Sequence, residues 1–168
     1  MQDASLGAWL PGQVLHIRSF SKSHGPDLRI AGLGGPVDLI DPIVARRILG
    51  PGWTSRMLQT MLHDLLTDPA SVAEVALARD TYRTRQEALS DALEKHGVSL
   101  LPGDGINTWL PVGDERAAIV QLAAAGIRVA AGAAFQAESA SDFVRVTVGV
   151  VRDDFDWVAS TLAAAARA

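Results

Sequence analysis

The sequence predicts an α/β chain whose C-terminal part is a compact α+β unit. Three observations carry that reading: short runs of strand length, capped helical runs between them, and a change of texture after Gly97. Residues 13–18, QVLHIR, alternate polar and apolar side chains and read as a strand entering a loop around Lys22. RIAGLGGPVDLI is a second strand-like segment, broken by Gly32, Gly34, Gly35 and Pro36. Asp41 and Pro42 supply an N-cap and a first-turn proline for the helix IVARRIL, and Gly50-Pro51 ends it with a C-terminal glycine. Thr54 or Ser55 caps RMLQTMLHDLLT. Asp68-Pro69 opens a long helix to about Lys95, closed by His96-Gly97, with Val72, Val75, Ala76, Leu89 and Leu93 at helical spacing.

Beyond Gly97, VSLLP and INTWLPV read as short strands around the turn GDG. A helix starting near Asp114 runs through Ala125 and stops at Gly126. IRVAA and FVRVTVGV read as two more strands, and Asp153 or Asp154 begins a final alanine-rich helix. From Ser71 onward the order is therefore α-β-β-α-β-β-α. Residues 1 to about 50 offer two strands and a helix, which cannot bury both faces of a sheet.

Composition narrows the function. A chain of 168 residues with 48% apolar content suits one sizeable folded domain, or one and a fragment of another. A net charge of −4 argues against holding nucleic acid or an anionic membrane by bulk electrostatics. Cysteine is absent, which excludes disulfides, zinc thiolates and cysteine nucleophiles. No apolar run approaches the roughly 20 residues of a membrane span. The start MQDASLGAWLPG lacks a basic region followed by an apolar stretch, so a cytoplasmic protein is expected.

Several motifs fail. Val37 occupies the third glycine position of a dinucleotide fingerprint beginning at Gly32. Lys22 is not preceded by the glycines of a P-loop, and no GxSxG elbow is present. His16, His24, His63 and His96 show no metal-ligand spacing, so no metal is expected.

RSFSKSHGPDLR, residues 18–29, remains. A lysine amine condenses with an aldehyde when partly unprotonated, an arginine grips phosphate bidentately, and serine hydroxyls add hydrogen bonds. Lys22, Ser19, Ser21 and Arg29 hold the groups needed to bind a phosphorylated aldehyde covalently. The same residue types also suit a surface loop or a phosphorylatable RSFS segment.

SFSKSHGPDLRIAGLGGP resembles the pyridoxal-phosphate lysine motif of the fold-type I aminotransferases (class I/II), in the pattern S-x-S-K-x-x-x-P-x-L-R-x-G. GDGINTWLPV is similar to the family's glycine-rich strand before the small-domain helix, GIRVAAGAAF to its G-V-x-V-x-P-G-x-x-F segment, and DFVRVTVGV to its L-R-L-x-F strand. The four blocks stand in the family's order over nearly the whole chain. IRSFSKSHGPDLR and GPGWTSRMLQ most resemble the aminotransferase-like domain of MocR-type (GntR family) transcriptional regulators, which join a winged-helix domain to an aminotransferase fold.

The resemblance implies the C-terminal part of that fold: residues 1–50 as the end of the cofactor-binding large domain, 51–70 as a connecting helix, and 71–168 as the small domain. It implies pyridoxal 5'-phosphate as cofactor and Lys22 as the internal-aldimine lysine and proton shuttle. Ser19, Ser21 and Arg29 would face the cofactor phosphate. Arg145 would clamp the carboxylate of an amino acid or 2-oxo acid; Val144, Val146 and Val148 alternate onto one face and leave it on the other. Ala131 departs from the family, standing where proline often precedes glycine.

The family places an aspartate against the pyridine nitrogen, an aromatic ring on the cofactor, and phosphate-binding amides before the lysine. Asp3 is the only acidic residue before Lys22 and is too close in sequence for that role, and the sole tyrosine, Tyr82, falls on the long helix. The sequence therefore leads to three expectations. The first is an aminotransferase, or its cofactor-anchoring half, in which the isolated chain is weak or inert. The second is the effector-sensing domain of a regulator, and the third a truncated, non-catalytic remnant. Self-association as a dimer, no membrane and no direct nucleic-acid contact are expected in each.

Overall fold

In a computed structural model, residues 6–100, 103, 105–135 and 141–167 are described. The chain divides into two compact units, Met1–Ala76 and Leu77–Ala168. Asp3, and Leu101, Pro102 and Asp104 of the expected VSLLP strand and GDG turn, lie outside the described residues.

In the first unit, β1 (His16–Ser19) pairs antiparallel with β2 (Ala31–Gly34), in the register His16 to Gly34 and Ser19 to Ala31. Both strands are exposed along their length. Gly35 packs so tightly on the chain before β1 that an added Cβ would lie 2.7 Å from the Leu15 side chain. Helix α1 (Val37–Ile48) begins earlier than the sequence suggests. The Leu39 and Ile40 amides both donate to the Pro36 carbonyl, so Asp41 and Pro42 fall inside the helix rather than at its cap. At this position, past the first turn, Pro42 cannot donate to the Asp38 carbonyl. The left-handed residue after α1 is Gly52 at φ 61, whose amide donates to the Arg47 carbonyl; Gly50 is not the one. Helix α2 (Arg56–Thr67) follows Ser55 as expected, but the Ser55 side chain makes no capping hydrogen bond.

Helix α3 (Pro69–Lys95) has the expected bounds. At its start Asp68 accepts from the Ser71 amide at 2.8 Å and the Ser71 hydroxyl at 2.9 Å. Its periodic residues differ in fate: Leu89 and Leu93 are buried, whereas Val72 is half-exposed.

The second unit is built on a three-stranded antiparallel sheet in the order β3 (Thr108–Pro111), β5 (Phe143–Val146), β4 (Ala130–Ala131). Helix α4 (Glu115–Ala124) is capped by Asp114, which accepts from the Ala117 amide at 2.8 Å, and Gly126 at φ 84 ends it. Helix α5 (Phe155–Ala166) follows Asp154. Leu110, Val144, Val146 and Val148 meet Leu89 and Leu93 of α3, Ala118 and Leu122 of α4, and Ala159, Leu162 and Ala163 of α5 in one core. Residues 98–100 are not a strand, so the described order is α-β-α-β-β-α. Their backbone is tied instead to α3, where the Ser90 hydroxyl donates to the Leu100 carbonyl at 2.6 Å. FVRVTVGV divides into β5 and a one-turn 3-10 helix, Val148–Val150. No helix among the described residues is long and apolar enough to cross a membrane.

Candidate functional site

The lysine loop is the excursion between β1 and β2. The ladder continues one step past the strands, where the Phe20 amide donates to the Ile30 carbonyl at 3.0 Å. The Ser23 and His24 amides both donate to the Phe20 carbonyl, winding residues 20–24 into a helical turn with Lys22 in the middle. Gly25 then adopts φ 111 and ψ 139, a conformation open almost only to glycine. Pro26 starts a 3-10 turn, Pro26–Leu28, with φ preset for its first position. Leu28 is the buried anchor of the loop, and Arg29 leaves it in the left-handed conformation at φ 50 and ψ 32. The pattern P-x-L-R is thus one structural device: a turn, an anchor and a strained exit carrying the guanidinium.

Ser19, Ser21, Lys22 and Arg29 all stand on this one hairpin loop. Ser19 ends β1, and its hydroxyl accepts a long hydrogen bond, 3.4 Å, from the Ser21 amide. Ser21 is half-buried; Lys22 and Arg29 are exposed. Neither cation makes a hydrogen bond or ion pair with a described residue, although Asp27 lies between them in sequence. Beside Lys22, the Ser23 hydroxyl and the His24 Nδ1 are 2.7 Å apart, and the His24 ring meets Phe20 edge-on. An amine, a guanidinium and two hydroxyls on one loop match the chemistry of pyridoxal phosphate, and its two cations are free to take an anionic group.

Arg145 lies in the second unit, in the middle of β5, with Trp109 and Ala130 as its cross-strand neighbours. Leu110, Val144 and Val146 hold the core face, which leaves Arg145 and Trp109 on the other. The Arg145 guanidinium carbon sits 4.5 Å from the centre of the Phe135 ring, and Trp109 meets that ring edge-on at 5.5 Å. The Arg145 Nε is buried and has no hydrogen-bond partner among the described residues. Phe135 belongs to the turn that follows Ala131, where the family pattern is broken. Its amide donates to the Gly132 carbonyl, the Gly132 amide to the Phe143 carbonyl, and the Ala133 amide to Glu115 Oε2 at 2.8 Å. Alanine at position 131 thus leaves a closed, well-anchored turn.

Trp109, Phe135 and Glu115 are residues the sequence did not single out. Strand alternation in INTWLPV places Trp109 opposite Leu110, but only the β3–β5 register shows that it faces Arg145.

No protein-family model matches the chain. It is 36% identical over 138 residues to the vitamin B6 salvage pathway transcriptional repressor PtsJ of Salmonella typhimurium, covering 82% of this chain and 32% of that protein. It is 28% identical over 130 residues to the HTH-type transcriptional regulator TauR of Rhodobacter capsulatus, covering 74% of this chain and 27% of that one. The chain therefore spans less than a third to about a quarter of these curated relatives. Among solved structures it superposes on Thermus thermophilus aspartate aminotransferase with maleate at a TM-score of 0.82 and 23% identity, over 96% of this chain and 43% of that one. Pyrococcus horikoshii kynurenine aminotransferase, in complex with PMP, gives a TM-score of 0.79 and 21% identity over 92% and 40%. The chain shares the fold of the C-terminal portion of these aminotransferases, and in sequence it is similar to part of two transcriptional regulators.

Proposed function

We propose that this chain is the cofactor-anchoring and carboxylate-binding portion of a pyridoxal-phosphate-dependent protein of the aminotransferase family, which takes an amino acid or 2-oxo acid. The observation that carries the reading is the lysine loop: Ser19, Ser21, Lys22 and Arg29 on one hairpin excursion, with both cations free of partners among the described residues. Bound there, pyridoxal phosphate would supply an aldehyde for the amine and an electron-accepting ring. Lys22 would hold the aldehyde carbon through its amine, with loss of water, and would carry a proton at its Nζ. Arg29 holds the phosphate by paired N–H donors, with the serine hydroxyls adding to it. Arg145, whose buried Nε has no hydrogen-bond partner among the described residues, takes the carboxylate through its guanidinium.

In this reading residues 1–50 end the large domain, 51–70 connect, and 71–168 form the small domain. A second use of the same site is favoured by the sequence relatives, a repressor and an HTH-type regulator. There the bound amine or amino acid is sensed rather than turned over, and another segment of the protein gives the output. Cytoplasmic location and self-association belong to both readings. The exposed β1–β2 ribbon, with Ile17 73% and Leu33 40% accessible, supports the second.

The purified chain mixed with pyridoxal phosphate should develop the visible absorption of covalently held cofactor, lost in Lys22→Ala and weakened in Arg29→Gln. A wild-type chain that takes up no cofactor overturns the reading. With cofactor held, steady formation of a 2-oxo acid from an amino acid supports the enzyme; a spectral response without turnover supports the sensor.

A further inference from the structure

We infer that Trp109 and Phe135 form an apolar wall beside Arg145 that selects carboxylates with an aliphatic or aromatic body over those with a second charge. The inference rests on the carboxylate-binding reading of Arg145 and adds the class of ligand.

Three observations converge on it. First, the guanidinium lies against one face of the Phe135 ring at 4.5 Å, so the ring fixes its plane and covers that face. Second, Nε is buried without a hydrogen-bond partner among the described residues, an unsatisfied donor at the inner end of the guanidinium. Third, Trp109 and Phe135 keep 44% and 52% of their surface exposed while touching each other edge-on. Large aromatic surface in contact with a cation whose Nε has no partner among the described residues suits a ligand that is anionic at one end and apolar next to it. A second carboxylate lying against these rings would lose water without gaining a donor.

The surroundings hold this arrangement in place. Trp109 is directly across from Arg145 in the β3–β5 ladder. Phe135 rides on the turn pinned by Gly132 to β5 and by the Ala133 amide to Glu115. The Glu115 carboxylate accepts from that amide, and its own backbone N–H donates to Asp142 at 3.0 Å.

The test uses the full chain labelled with nitrogen-15, following the Arg145 Nε–H resonance, which Arg145→Lys identifies by its loss. The probes are acetate, succinate and 3-phenylpropanoate. In the wild-type chain 3-phenylpropanoate should bind about three- to tenfold more tightly than acetate, the range expected of one aromatic contact. Succinate should gain nothing over acetate. Trp109→Ala should erase the preference for 3-phenylpropanoate over acetate, and Trp109→Phe should keep most of it. Phe135→Leu gives a second version should Trp109→Ala lose its fold. A wild-type chain that prefers succinate, or a preference intact in both Trp109→Ala and Phe135→Leu, overturns the wall while the carboxylate reading stands. If Arg145→Lys binds all three probes like the wild type, as followed by the other amide resonances, or if the wild type binds none, the carboxylate reading itself falls.

Discussion

Arg29 stands against its own backbone preference. A non-glycine residue in the left-handed conformation costs about 1–2 kcal/mol, and here it sits at φ 50 with an exposed side chain and no partner among the described residues. Nothing in the described fold repays that cost, which is the pattern expected where a ligand does. Arg29→Gly should therefore leave the chain as stable as the wild type, or about 0.5–1 kcal/mol more so, because glycine accepts this conformation freely. The same variant should hold pyridoxal phosphate more weakly. Denaturant unfolding and cofactor titration on one sample separate the two effects, and a clear loss of stability would mean that the arginine is a structural residue. Gly132 illustrates the opposite constraint. A Cβ there would fall 2.2 Å from the Phe143 carbonyl oxygen, so Gly132→Ala must displace either β5 or the turn carrying Phe135. We expect a loss of about 1–3 kcal/mol in denaturant unfolding, and a near-neutral result would refute that close approach.

At the scale of elements, capping chemistry was the most legible part of the sequence. Asp68-Pro69, His96-Gly97, Asp114 and Gly126 bound α3 and α4 where they were expected, because each acts through its own neighbouring backbone. Asp41-Pro42 misled because Pro36 offered an earlier start, and a local signal carries no ranking among rival starts. Residues 98–100 misled for another reason: an apolar run of strand length was tied to α3 through Ser90, which alternation does not reveal. The lysine loop was legible as chemistry, but the wall around Arg145 depends on cross-strand register and was not. Asp68 yields a test of the cap itself. The Ser71 backbone N–H, and then its hydroxyl, hold the Asp68 carboxyl below its ordinary value of 3.8. A depressed native value means that the cap's contribution is complete above the ordinary value and is lost as pH falls through the native one. The first turn of α3 should thus fray in acid, read by amide exchange of residues 70–72, and Asp68→Asn should flatten that dependence. Equal acid fraying in both proteins would show that another group is responsible.

For the molecule as a whole, what matters is how unevenly the apolar residues are buried. The second unit carries the continuous core, from Leu89 to Ala165, whereas the buried apolar residues described in the first unit are Leu28 and Leu62. Local opening free energy follows such burial, because a segment with few buried contacts loses little when it opens. Amides of β5 and α5 should accordingly exchange only near global unfolding of their unit, and amides of β1 and β2 at least about a hundredfold faster. The functional consequence lies in the loop between those two strands. It carries Lys22 and Arg29 on a ribbon held by few buried contacts, so a ligand gripping both residues stabilises the ribbon by as much as it binds the ordered form. Adding pyridoxal phosphate should slow exchange at Phe20, whose amide closes the loop onto Ile30, and along β1 and β2, while leaving β5 unchanged. Lys22→Ala should abolish that slowing. Protection of β1 equal to that of β5 before any cofactor is added would contradict this account, since the ribbon would then owe its order to something other than the ligand.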